Sequence, residues 1–249
     1  MPSPHNPLLT VRRERRPTVQ DQLVELIMAL DLDAGDALPA EQELMRALGV
    51  SRNSVREALK GLQALGIVDI RHGYGTYVGT PELRSLAPGL LFHTRLAVKR
   101  RDHQALRDIV EVRALLEGGL IRRAAAELTE AHLDRLDLEL AALAADGAEG
   151  RAGHDRRFHE LLYEPLGNAV VLQLIALFWD VYRQLEHELG KPETDHDQVV
   201  RQHRRVVEAL RARDPDRAAE AIDGHFADVL ARIDRLGRGP RERAEDTEG

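Results

Sequence analysis

The sequence predicts a mainly α chain in two parts: a short α unit closed by a small β-hairpin, then an all-helical bundle. Three observations predict it. Residues 38–78 hold two short apolar-striped stretches on either side of Gly49, then switch to strand residues around a glycine-rich turn. After residue 83, Ala and Leu abound, aromatics are few, and apolar residues recur at i, i+3 and i+4. The 249 residues suffice for two cores.

A first helix is expected from about Thr18, burying Val19, Leu23, Leu26, Ile27 and Leu30. In the second, Pro39 suits the first turn, Glu41 and Glu43 suit the positive end of the dipole, and Leu44 and Leu48 make the apolar stripe beside Met45. Gly49 fits the left-handed position that ends a helix, with Val50 packing back, and Ser51 is a good N-cap for the third. There Val55, Leu59, Leu62 and Leu65 face inward until Gly66. Ile67, Val68 and Ile70 form a strand, His72-Gly73-Tyr74-Gly75 a turn, and Thr76, Tyr77 and Val78 the return strand. This is the outline of a winged helix-turn-helix, which lays one helix in the major groove of DNA.

Residues 1–17 then read as a flexible basic arm around Arg12-Arg13-Glu14-Arg15-Arg16, 18–79 as the winged unit, 80–84 as a linker, 85–236 as the helical domain and 237–249 as a disordered tail. Helices are expected at 83–92, 102–127, 130–145, 151–163, 168–189, 195–213 and 215–235, the last opened by Asp214 as N-cap and Pro215 at its first position.

The outward face of the third helix carries Ser51, Arg52, Asn53, Ser54 and Arg56. Arg and Asn can make paired hydrogen bonds to guanine or adenine edges, and Ser hydroxyls suit phosphates. Arg71-His72-Gly73 at the wing tip could reach a minor groove or flanking backbone. A merely solvated face is the alternative for Arg52 and Arg56; the surrounding motif outweighs it. The formal net charge of −7, and nine Lys/Arg against ten Asp/Glu in residues 1–80, exclude bulk polyanion attraction. Affinity must come from the placement of a few arginines. Without cysteine, disulfides and thiolate metal sites are excluded, consistent with a reducing cytoplasm, and no apolar run suggests a membrane span or signal peptide.

In the second part Asp155 and His159 stand four apart on one helical face, with His203 and His225 on later helices. Three imidazoles and a carboxylate would suit zinc or another divalent first-row metal. From spacing alone, ordinary core histidines are the simpler reading. His93, His132, His154, His187 and His196 read as surface or helix-end residues, and Trp179 as core, with Arg183 a weaker pocket candidate.

Leu38-Pro39-Ala40-Glu41, Gly49-Val50-Ser51-Arg52, Val55-Arg56-Glu57-Ala58-Leu59 and Gly73-Tyr74-Gly75-Thr76 resemble the GntR family of bacterial transcription regulators. The resemblance implies DNA contacts from Ser51, Arg52, Asn53, Ser54, Arg56, His72 and Gly73. Gln42 stands where the family is often basic, implying a weaker contact or a different base. Asp108 through Arg113, Asp155 through His159, Gly167-Asn168, His203-Arg204 and Asp214 through His225 resemble the FadR-type subgroup, with its helical effector (FCD) domain of six or seven helices. That implies a metal on Asp155, His159, His203 and His225, with zinc, manganese or nickel as candidates. It also implies a small organic acid (a hydroxy acid, dicarboxylate or sugar acid) as effector. Arg113 could pair with its carboxylate, or form a structural ion pair with Glu111 or Glu117.

The expectation is a metabolite-responsive regulator, most simply a repressor, that binds a palindromic operator as a homodimer and is released by the acid. Two alternatives stand beside it: a purely structural metal in a domain that serves dimerisation, and a DNA-tethered metal enzyme. The latter lacks any accompanying base, nucleophile or phosphate loop in the sequence.

Overall fold

The computed structural model describes residues 16–80, 82–100, 102–146, 148–189 and 196–237. Most of the basic arm, most of the tail, Pro81, Asp195 and the side chain of His187 lie outside them. The chain divides into two units, Met1–Glu82 and Leu83–Gly249.

In the first unit α1 (Val19–Ala29) opens with a capping box: Asp21 N–H donates to Thr18 Oγ1 at 3.1 Å, and Thr18 N–H to Asp21 Oδ2 at 2.7 Å. α2 (Glu41–Leu48) ends on Gly49 at φ 64°, a conformation that disfavours any side chain. α3 (Arg52–Ala64) begins at the Ser51 cap and closes through Ile67 N–H to Leu62 O at 2.9 Å, with Gly66 at φ 74°. β1 (Val68–Arg71) and β2 (Gly75–Val78) pair antiparallel, Val68 opposite Val78. Leu23, Ile27, Leu38, Leu44, Val55, Leu59, Leu62 and Val68 form one core.

Three local expectations need correction. Pro39 precedes α2 rather than sitting in its first turn. Leu38 N–H donates to Thr76 O and Val78 N–H to Asp36 O, both at 2.8 Å, so residues 35–38 extend the wing as a third partner. A residue before proline prefers that extended backbone. Leu30 and Leu65 are exposed rather than buried, because each is the capping residue where its helix turns away from the core.

The second unit holds seven helices among its described residues: α4 (Ala87–Lys99), α5 (Gln104–Glu127), α6 (Glu130–Ala145), α7 (Ala148–Tyr163), α8 (Ala169–Leu189), α9 (His196–Arg211) and α10 (Pro215–Gly237). Leu83–Leu86 is a tight 3-10 turn, and α4 runs to Lys99, well past the expected end at Phe92. Pro88 explains the start: it cannot donate to a preceding turn, so it sits in the first turn of a new helix. α9 stops at Arg211 because Arg213 takes a left-handed φ of 57°. Asp214 then accepts from Arg217 N–H at 3.0 Å and caps α10. α10 packs along α5 and α9, and α6 against α7 and α9. Their apolar faces share a core that includes Leu106, Ile121, Leu133, Leu136, Phe158, Ile175, Val206, Ile222 and Phe226. No helix among the described residues is long and apolar enough to cross a membrane.

Candidate DNA-binding face and metal centre

The face expected to meet DNA is assembled by the α2–α3 turn. Ser51 caps α3, its Oγ accepting from Ser54 N–H at 3.2 Å and lying 2.9 Å from Ser54 Oγ. Both hydroxyls are thereby drawn into the cap. Arg52 and Asn53 project from the first turn into solvent, and Gln42 is exposed on the first turn of α2. Arg56 is also exposed, but its Nε donates to both carboxylate oxygens of Glu41, at 2.9 and 3.0 Å. His72 and Gly73 stand at the exposed hairpin tip, where Gly73 and Gly75 have φ of 82° and 115°. Tyr74, which had no assigned role, is 84% exposed there. Arg71 is held back from the tip by Asp69 at 2.8 Å and lies over the Tyr77 ring.

In the second unit, α7 carries Asp155, His159 and Tyr163 at successive i, i+4 steps, so they share one face. α9 brings His203 and α10 brings His225 to that face. The three imidazole ring centres are 4.8–5.5 Å apart, and one ligand nitrogen from each lies within 4.8 Å of the others. All three rings are buried. Asp155 Oδ1 is 2.5 Å from His203 Nε2, an ion-pair distance, and 3.9 Å from His159 Nε2. Asp155 Oδ1, His159 Nε2, His203 Nε2 and His225 Nδ1 are four buried polar atoms; beyond the Asp155–His203 contact none has a hydrogen-bond partner among the described residues. Left so, each would cost about 1–3 kcal/mol.

Their far sides explain which atoms point inward. His203 Nδ1 lies 2.8 Å from Val199 O, and a carbonyl only accepts, so Nδ1 carries a proton and Nε2 is the nitrogen that faces Asp155. His159 Nδ1 lies 2.6 Å from Glu117 Oε2, with the same consequence. Burial lowers the pKa of His159 against the opposing pull of Glu117. Burial, with His203 and His159 nearby, takes His225 well below its ordinary value. Neutral imidazoles are what a metal requires. Burial works against the Asp155 carboxylate, but the histidines, His203 foremost, hold it far below the usual range, so it stays charged. Three imidazole nitrogens and one carboxylate oxygen, converging on one place, fit a divalent first-row ion.

Arg113 is buried beside this cluster on α5, between the rings of Trp179 and Phe226 at 5.1 and 5.2 Å. Its Nε donates to Glu117 Oε1 at 2.6 Å, and its Nη2 has no hydrogen-bond partner among the described residues. The structural ion pair is therefore made, with Glu117. Glu111 turns instead to Arg107 at 2.9 Å. Burial alone would raise Glu117, but Arg113 and His159 together hold it below its ordinary value. Trp179 is core, as expected.

Sequence reasoning did not assign Glu117 to the metal cluster. Its spacing from Arg113 was visible, whereas its bond to His159 crosses 42 positions. His154 is also more than a surface residue. It bridges Glu139 at 2.7 Å and Asp146 at 3.0 Å, and the Glu139 hydrogen bond leads the causes that raise its pKa.

Comparison with known proteins matches residues 16–78 to the bacterial regulatory proteins of the gntR family and residues 108–228 to the FCD domain. The HTH-type transcriptional regulator YcbG of Bacillus subtilis is 33% identical over 231 residues, covering 90% of this chain and 94% of the relative. The chain belongs to the GntR family. The HTH-type transcriptional repressor NanR of Citrobacter rodentium is 30% identical, covering 93% of this chain and 90% of that one. The Streptococcus agalactiae GntR structure superposes with a TM-score of 0.61 at 25% identity, over 86% of this chain and 97% of that one. This GntR protein is of the FadR type, a DNA-binding transcription regulator with an FCD domain, and the enzyme alternative is set aside with that membership.

Proposed function

We propose that this GntR regulator responds to a small organic acid through a metal centre in its FCD domain. The observation that carries the reading is the convergence of four buried ligand atoms from Asp155, His159, His203 and His225, which have no hydrogen-bond partner outside the cluster among the described residues. A protein does not ordinarily retain such groups in its core unless something satisfies them. Zinc is the preferred ion from the donor set, with manganese and nickel as alternatives. A bound ion would supply a Lewis-acidic centre for an anionic oxygen. The chain contributes the buried guanidinium of Arg113, whose Nη2 is free to meet a carboxylate, in a wall formed by Trp179 and Phe226.

At the other end, Arg52 and Asn53 read base edges from α3, with Ser51, Ser54 and Arg56 positioning it on the backbone. Gln42 and the wing residues His72 and Gly73 add flanking contacts. A homodimer on a palindromic operator, released when the acid binds, completes the reading; repression is favoured by the naming of relatives such as NanR as repressors. A coupling of roughly 1–3 kcal/mol between acid and operator would suffice for a switch.

The experiment is a thermal-melt screen against small carboxylic acids, using metal-loaded protein, EDTA-stripped protein and His203→Ala. An acid at a hundred times its dissociation constant adds about 2.7 kcal/mol to the folded state. The expected result is a shift for one acid that requires both metal and His203. The Arg113–Glu117 pair favours a second reading, in which the metal is structural and the domain serves only dimerisation. Metal-dependent melting with no shift from any acid would select it.

A further inference from the structure

Glu117 is wholly buried on α5 and has no role in the reading above. Its two oxygens serve two masters: Oε1 accepts from Arg113 Nε and Oε2 from His159 Nδ1, each at 2.6 Å. Neutralising a buried carboxylate needs only the arginine; the second bond goes to an imidazole whose other nitrogen faces the metal cluster. The backbone at this position is tied to the same place. Tyr163 Oη donates to the Glu117 carbonyl at 3.0 Å, and Tyr163 stands one turn beyond His159 on α7. Side chain and main chain of residue 117 thus hold α5 in register with the helix that carries Asp155 and His159.

We propose that Glu117 is the positioning residue of the metal centre, setting the tautomer and ring orientation of His159 while restraining Arg113 in the same cavity. The proposal rests on the metal reading above. A ligating histidine needs its remote N–H held so that the lone pair stays aimed at the ion, and loss of such a partner typically weakens metal binding 10–100-fold. For Arg113 the consequence is that Nε is already taken, so an incoming carboxylate meets the Nη edge of the guanidinium and not its Nε side.

The test titrates the full chain with cobalt(II), followed by absorption, for wild type, Glu117→Gln, Arg113→Gln, the double variant and His203→Ala. Alongside it, long-range 1H–15N spectra of the metal-free proteins read the His159 tautomer. The expected result is that Glu117→Gln binds cobalt about 10–100-fold more weakly, Arg113→Gln binds as wild type, and the double variant stays as weak as Glu117→Gln. His159 should be a single Nδ1–H tautomer in wild type and a mixture without the carboxylate. If the double variant recovers wild-type affinity, Glu117 only neutralises Arg113 and the proposal falls. It also falls if His159 keeps its tautomer in Glu117→Gln. Should Glu117→Gln fail to fold, the double variant, uncharged at both positions, carries the same comparison. If wild type binds no cobalt, or His203→Ala binds it equally, the metal reading fails, and the tautomer spectra still judge Glu117 separately.

Discussion

In the N-terminal unit the polar groups offered to DNA stand in water, and several are already satisfied: Ser51 and Ser54 by their own cap, Arg56 by Glu41. In the C-terminal unit the corresponding groups are buried, and four of them converge with no hydrogen-bond partner outside their own cluster among the described residues. An exposed site costs little to keep, because water satisfies whatever the protein does not, but it is organised only by its helix. A buried site is costly when empty and strongly stabilised when filled, so filling it can act on the whole bundle. The contrast suits a DNA-binding regulator whose reading head is built locally and whose proposed metal site lies in the core of its FCD domain.

Five substitutions and one ion test that contrast. The largest effect is expected from metal itself. EDTA-stripped protein given zinc at a thousand times its dissociation constant should gain about 4 kcal/mol, read by calorimetry, whereas His203→Ala should gain none. An equal gain in both would place the ion elsewhere.

Acid probes the same cluster without metal. His225 is held well below its ordinary 6.5, mainly by burial, so the unfolded chain takes up a proton that the folded one refuses. Its contribution is full above 6.5 and is lost as pH falls from there towards the folded value. Metal-free His225→Leu should therefore show a flatter loss of melting temperature with acid than wild type; parallel curves would deny the burial effect.

On the exposed side, Arg52→Ala should weaken operator binding by roughly 1–3 kcal/mol without moving the melting temperature. Operator binding equal to wild type in a fluorescence-anisotropy titration would overturn the recognition-helix assignment. Ser51→Ala removes the α3 cap and should cost about 1 kcal/mol of stability in the N-terminal unit, measurable by urea unfolding. The smallest effect is expected from Glu41→Gln. Freeing Arg56 should tighten operator binding at low salt and steepen its salt dependence by about one unit. An unchanged slope would mean that Arg56 stays off the phosphates.

The difference between the units also explains what could be read in advance. The recognition face lies within residues 42–73, and its signals are local: the left-handed Gly49, the Ser51 cap, and the apolar spacing of α3. Helix ends were harder. Pro39 stands two residues before the first residue of α2, because the wing's hydrogen bonds hold residues 35–38 extended.

The metal candidates span residues 155–225 on three helices, and only their donor chemistry and the Asp155–His159 spacing were visible in the chain. Spacing along each helix decided which face a residue occupies, since that follows from the helical period alone. It could not decide that α7, α9 and α10 turn those faces towards one point, nor that Glu117 reaches His159 across 42 positions. The sequence by itself thus determined the elements, the caps, the wing and the kinds of ligand available. Only the tertiary structure decided that four polar atoms meet in the core of the bundle, because burial and convergence depend on how separate helices pack.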